Sequence, residues 1–259
     1  MNKCFIILFV YGICSCMEMY ADSFLTTSDM PAGENYLPPP PAYNSERFFN
    51  DWVAYKWGKS IRPTDRGKQV VSDASTSINY FCSTFSPAFG MTISSSNTPE
   101  LYALLSKARV DGNNAAKSVK NFYMKTRPFM KFEEPTSVPS SEASLRTNGS
   151  YPSGHTAQGW TLTLILAEIN PARQDTILSR GYQYGQSRAI GGFHWLSDVD
   201  AGRCIASAAV ARLHADPAFM EQLRKAKEEF ARKASSKAML KKEEFDYHLL
   251  PEAQADDNK

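Results

Sequence analysis

Past its first sixteen residues the chain has almost no cysteine: of five, only Cys82 and Cys204 lie beyond Cys16. A disulfide-dense scaffold is thereby excluded, while one Cys82–Cys204 bridge and two unpaired thiols both stay open. Histidine is scarce as well, occurring at His155, His194, His214 and His248. No metal-ligating spacing such as H-E-x-x-H joins them, so neither a metal nor another cofactor is expected. An excess of charge of one sign is also missing. The net charge is +2, without the basic field that binding to nucleic acid requires. After the N terminus no apolar run is long enough to span a bilayer. No stretch alternates polar and apolar residues at the period of two that marks a half-buried strand. What remains is helical periodicity, in a chain long enough for one sizeable core. The expectation is an all-α protein, a single-domain helical bundle.

The first residues, MNKCFIILFVYGICSC, read as an export signal: Lys3 supplies a short positive region and an apolar run from Cys4 to Cys14 follows. Cleavage near Ala21 to Ser23 gives a signal peptide over residues 1–21; cleavage before Cys16 gives a lipid-anchored protein. Either way the expected location is periplasmic or secreted. Residues 22–46 form an extended Pro-rich segment, with four consecutive prolines in NYLPPPPAYNS. A helical body is expected over 47–240 and a polar tail, which contains His248, over 241–259.

Within the body, apolar spacing predicts a helix through ERFFNDWVAYKWGKS and another over Asp65 to Phe85. Thr98 is placed to cap a helix beginning at Pro99. The next helix carries VKNFYMKT and is expected to stop at Arg127, because Pro128 restricts the residue before it. Residues 131–151, rich in Pro, Ser, Thr and Glu, read as a long loop of the kind that is often functional. Helices follow after GSYPSGH, from Pro171 to Ala189, and from Ser197. The charges of MEQLRKAKEEFARKA read as a solvated helix face.

Three polar clusters interrupt this pattern. In KNFYMKTRP, Lys120 and Arg127 are seven apart, which on one helix puts them on the same face two turns apart. Lysine offers a mobile point charge and arginine a rigid fork for two oxygens of one anion. Lys117 and Lys125 read as background charge. In GSYPSGHT, Pro152 fixes the approach to a helix, Ser153 offers a hydroxyl, and Gly154 lets backbone N–H come close to a ligand. The helix N-terminus that follows is a natural anion seat, with His155 placed to give a proton to an atom of that anion. In GQSRAIGGFHWLSDVDAGR, Arg188 ends a helix, Gly191 and Gly192 permit a reversal, and His194 precedes Asp198 by four. A helical turn brings that carboxylate to one imidazole nitrogen and leaves the other with a free lone pair, the requirement for a nucleophilic histidine. Asp200, two positions on, faces elsewhere. His214 reads as structural.

Together these clusters read K-x6-R-P, P-S-G-H and S-R-x5-H-x3-D. In order and spacing this resembles the type-2 phosphatidic acid phosphatase superfamily, which also contains the vanadium haloperoxidases. More narrowly, GSYPSGHT, the N-terminal signal and the helical body are similar to the bacterial class A non-specific acid phosphatases. The resemblance implies an all-α bundle of the acid phosphatase/vanadium haloperoxidase type, acting on small-molecule phosphomonoesters with broad specificity and without a metal. It implies that Lys120, Arg127 and Arg188, with Ser153 and the backbone at Gly154, clamp the phosphoryl oxygens. His194 would form a phosphohistidine, His155 would protonate the leaving oxygen and then activate water, and Asp198 would orient His194. An acidic optimum is expected, since His155 must be protonated while His194 is not. Relatives of this class often assemble, so a homo-oligomer is an open possibility. The alternatives of the same class are an apyrase-like hydrolase of nucleoside di- and triphosphates and a vanadate-dependent haloperoxidase.

Overall fold

The computed structural model describes residues 23–235. The export signal, the Cys16 anchor, residues 236–240 of the expected body and the tail with His248 lie outside the described residues. Helices α1 (Glu46–Ile61), α2 (Asp65–Asp73), α3 (Ile78–Phe89), α4 (Pro99–Ala115), α5 (Lys117–Tyr123), α6 (Pro128–Phe132) and α7 (Glu142–Leu145) make the first half. The second half is α8 (Gly154–Ile169), α9 (Gln174–Ile190), α10 (Leu196–Leu213) and α11 (Pro217–Ala234). Among the described residues there is no strand, and no helix is long and apolar enough to cross a membrane.

The central element is α8. Ala157, Leu162, Ile165 and Leu166 are buried together with Thr161 and Thr163, so apolar and small polar faces alike are covered, as expected of a helix with no solvent side. It packs against α4, α9 and α10, while α11 closes over α4. The main core gathers Phe81, Phe85, Phe89, Leu101, Leu105 and Phe219 around it. Two glycines allow these close approaches: a Cβ on Gly159 would lie 2.3 Å from the Tyr184 ring, and one on Gly202 would lie 2.7 Å from the Ser153 carbonyl. The first contact brings α9 against α8 beside His155; the second brings α10 against the turn that opens α8.

Several boundaries differ from the expectations. The stretch from Asp65 to Phe85 is two helices, not one. Residues 74–77 break it because Asp73 is drawn to Arg180 and Ser187 of α9 and Tyr184 donates to the Ser75 carbonyl, while Ser and Thr side chains compete with helical backbone bonding. The helix through VKNFYMKT ends at Tyr123, with Met124 in the left-handed region (φ 43°), and Arg127 is extended (φ −76°, ψ 156°) ahead of α6. Lys120 and Arg127 therefore share no helix face. Thr98 precedes α4 but does not cap it: its hydroxyl accepts from the Ser94 N–H, and Glu229 of α11 accepts from the Leu101 N–H. Glu229 is thus a buried exception to the solvated face expected of α11. The Pro-rich segment is not simply extended; it makes 3-10 turns at Thr27–Asp29 and Gly33–Asn35 and buries Leu25 and Leu37. The loop over 131–151 contains α7 and a 3-10 turn at Pro139–Ser141. Cys82 is buried and Cys204 exposed, and both are free.

Candidate active site

His194 lies in the link between α9 and α10. Gly192, in the left-handed region (φ 78°), lets the chain reverse after α9, and the His194 N–H returns to the Arg188 carbonyl. The ring is buried between Asp198 and Arg127: Nδ1 is 3.4 Å from Asp198 Oδ2 and Nε2 is 3.0 Å from Arg127 NH1. A guanidinium only donates, so Nε2 must present its lone pair and Nδ1 must carry the hydrogen. The structure thereby fixes the tautomer that a nucleophilic Nε2 requires.

Asp198 is itself held. Its Oδ2 accepts the Trp195 N–H at 2.8 Å and the Ser150 hydroxyl, and its backbone carbonyl accepts the Ser153 N–H at 2.8 Å. One residue of α10 thus positions both the His194 ring and the start of α8. Ser153 caps α8, its hydroxyl accepting from the Thr156 N–H at 3.2 Å. A Cβ on Gly154 would stand 3.4 Å from Lys120 Cε, which puts the Lys120 stem against the first turn of α8.

His155 projects from that turn and stacks on Tyr184 with ring centroids 4.5 Å apart and planes 17° apart. Its Nε2 is buried without a hydrogen-bond partner. Arg188 lies over the Phe193 ring at 3.8 Å, and its Nε and NH1 are buried donors without an acceptor. Arg127 is the most tightly held cation: Leu145, Phe193 and Gly149 carbonyls and the Asn148 side chain all accept from it. Lys120 donates to the Gly149 carbonyl at 2.7 Å.

Electrostatics tie these pieces into one site. Burial, then Arg127, Lys120 and Arg188, hold His194 well below the ordinary histidine range; burial, then Arg188 and His194, do the same to His155. Lys120 is lowered to about 7 by burial, Arg127 and Arg188. Burial brings Arg188 to about 9 and Arg127 to about 10. Two buried arginines, the half-buried Lys120 and two buried imidazoles held toward their neutral forms make an anion site. All eight residues singled out from the sequence meet here. Asp200 points away to Arg203 at 2.7 Å, and His214 bonds Glu168 and the Val210 carbonyl. Missed from the sequence were Ser150 and Asn148, which sit in the serine-rich loop before PSGH, and the buried Lys125 and Asp51. Among the described residues no group of three or more His, Cys, Asp or Glu is arranged to hold a metal ion.

The PAP2 superfamily profile matches residues 101–219, the stretch that carries every one of the eight residues. The non-specific acid phosphatase of Providencia stuartii is 49% identical over 76% of this chain and 79% of its own. The non-specific acid phosphatase of Salmonella typhimurium is 44% identical over 75% and 78%, and the acid phosphatase of Zymomonas mobilis 32% identical over 78% and 76%. The chain belongs to the PAP2 superfamily, together with these acid phosphatases.

Proposed function

We propose that this chain, a phosphoric monoester hydrolase by its family, is a broad-specificity acid phosphatase that works through a phosphohistidine on His194, without a metal. The observation that carries the reading is a set of buried polar atoms left unpaired on groups that feel one another's charge: Arg188 Nε and NH1 and His155 Nε2 lack partners, while His194 Nε2 is held as a lone pair by Arg127. A phosphoryl group satisfies all of them at once. Its non-bridging oxygens accept from Arg188, Arg127, Lys120 and the α8 N-terminus, the charges that build up in phosphoryl transfer.

In the first step the Nε2 lone pair of His194 attacks phosphorus, the bond to the leaving oxygen breaks, and His155 gives that oxygen its proton. The Nδ1–H toward Asp198 and Ser150 steadies the positive ring. In the second step His155 takes a proton from water, the water oxygen bonds phosphorus, and the P–Nε2 bond breaks with its electron pair returning to the ring. The dianionic substrate raises the charging tendency of His155, which burial and Arg188 suppress, so substrate arms its own general acid. With three cations around the phosphoryl group, no metal is needed for charge neutralisation. The N-terminal apolar run supports a periplasmic or secreted location.

Rapid mixing with an aryl phosphate and an alkaline quench tests the mechanism. Wild type should trap a phosphohistidine, His194→Ala should trap none and lose turnover, and His155→Ala should trap it only from an excellent leaving group. Undiminished turnover in His194→Ala overturns the reading.

A further inference from the structure

Two buried ionisable groups beside the site take no part in the chemistry above. Lys125, in the link between α5 and α6, has a side chain only 6% exposed, and its ammonium stands 3.5 Å from Asp51 Oδ2 and 3.5 Å from Asp198 Oδ1. Asp51, on α1, accepts the Ser197 N–H and the Ser197 hydroxyl, each at 2.7 Å. Lys125 also donates to that hydroxyl at 3.3 Å, and its ammonium lies 5.5 Å from the centroid of the Trp195 ring. A buried ammonium is tolerated only when paired. Here one cation is shared by two carboxylates, and one of the two orients the nucleophile.

We propose that Lys125 is a positioning residue that balances the paired buried carboxylates Asp51 and Asp198 and so keeps Asp198 able to hold His194 and steady its positive ring, with Asp51 and Ser197 holding Lys125 in place. This rests on His194 being the nucleophile. Asp198 Oδ2 already serves the Trp195 N–H, the Ser150 hydroxyl and His194 Nδ1; Oδ1 faces Lys125. Without the ammonium, Asp51 and Asp198 confront each other as like charges in a buried space, and such pairs take up a shared proton. Burial already pushes Asp51 upward, and Asp198 adds to that push. A proton taken up between Asp51 and Asp198 Oδ1 leaves Oδ2 an acceptor for His194 Nδ1–H but removes the negative charge that steadies the ring when it turns positive.

Other groups feel Asp198 but do not replace Lys125. Lys120 and Arg127 act on it electrostatically, yet both are committed to loop carbonyls and the anion seat. The Tyr43 and Tyr151 phenols lie within its field and are raised by burial, hence neutral at acidic pH. Asp200 feels the charge of Asp51 and is paired with Arg203.

The test is the pH profile of kcat/KM for an aryl phosphate in Lys125→Met, Lys125→Arg, Asp51→Asn and Lys125→Met/Asp51→Asn, each checked for folding by circular dichroism. Lys125→Met should move the acid limb upward by about one pH unit or more, roughly a tenfold extra loss on that limb with a smaller loss near neutrality. Lys125→Arg should keep the wild-type limb. Asp51→Asn should move it to lower pH, because the ammonium then serves Asp198 alone. The double variant should recover much of the acid activity, since the competing carboxylate is gone; a structural role predicts added losses instead. An unmoved limb in folded Lys125→Met, or in Asp51→Asn if the lysine variant does not fold, overturns the proposal. Should wild type trap phosphohistidine while the limbs stay put, only the role of Lys125 falls; should wild type trap none, the nucleophile reading falls and takes this one with it.

Discussion

Arg127 NH1 stands 3.0 Å from His194 Nε2, so the nitrogen read here as the nucleophile is covered by a cation's N–H. The same guanidinium is pinned by the Leu145, Phe193 and Gly149 carbonyls and by Asn148. It can pass its NH1 hydrogen bond from the ring to a phosphoryl oxygen with little movement. Arg127 then has two duties: setting the tautomer before substrate arrives and neutralising charge afterwards. Arg127→Lys keeps the charge but loses the fork. Steady-state kinetics should show kcat/KM down by about 100-fold or more, with most of the loss in kcat. A variant within twofold of wild type would mean that charge alone is needed.

Burial of two imidazoles among cations carries a stability cost at acidic pH. His155 and His194 are both depressed below the ordinary histidine value by burial and by the cations around them. Below about pH 6.5 the unfolded chain therefore binds protons that the folded chain refuses, and unfolding is favoured. Stability from this source is full above that value and is lost as pH falls toward the folded values. Two buried histidines give up to roughly 2 kcal/mol of loss between about pH 7 and pH 5.5. Urea melts should show it, and sulfate should shrink it, because an anion in the seat lets both rings charge. A melt midpoint insensitive to pH in this window would show that the rings are not held neutral.

Lys120 makes a separate prediction on the alkaline side. Burial, Arg127 and Arg188 bring it to about 7, so it is a cation below that pH and neutral above it. A bound dianion restores its charge, and binding above pH 7 therefore takes up a proton. The inhibition constant of sulfate, which stays a dianion throughout, should weaken by about tenfold per pH unit above 7. Lys120→Met should bind sulfate less tightly and lose the inflection. An inflection unchanged in that variant would assign it to another group.

Ser150 was invisible as a functional candidate, yet its hydroxyl joins Asp198 Oδ2 and lies 3.4 Å from His194 Nδ1. Ser150→Ala deletes one hydrogen bond to a buried carboxylate, a change of about 1.5–3 kcal/mol. If that loss is felt mainly when the ring turns positive, kcat should fall by about 10- to 100-fold with KM little altered. A rise confined to KM would place Ser150 in substrate binding.

What the sequence made legible was local. The His194–Asp198 pair survives, though not as a helical turn: His194 precedes α10, Trp195 is extended, and Asp198 in the first turn of α10 reaches back to the ring; the Ser153 cap survives because a cap bonds its own third neighbour. The shared helix face of Lys120 and Arg127 did not survive, since Met124 turns left-handed between them; the two cations meet anyway, through folding of the loop back over α5. Lys125 read as background charge because its partner Asp51 is 74 residues away. Glu229 read as surface because the N–H it satisfies lies 128 residues away on α4. Burial of a charge depends on which distant element lands beside it, and periodicity carries no record of that.

Gly154 separates the two meanings of the turn before α8, helix start or anion seat. Its backbone is helical and free of positive φ, so alanine there should favour the helix by up to about 1 kcal/mol. The added Cβ, however, would stand 3.3 Å from Asn113 Oδ1 and 3.4 Å from Lys120 Cε. Asn113 is tied to Gln158 and the Lys120 ammonium to the Gly149 carbonyl, so the flexible lysine stem is what must yield, and it yields within the seat. Gly154→Ala should therefore melt within about 1 kcal/mol of wild type while kcat/KM drops roughly tenfold through misplacement of Lys120. If that variant is as active as wild type, Gly154 serves only to start the helix and the anion is held by side chains alone.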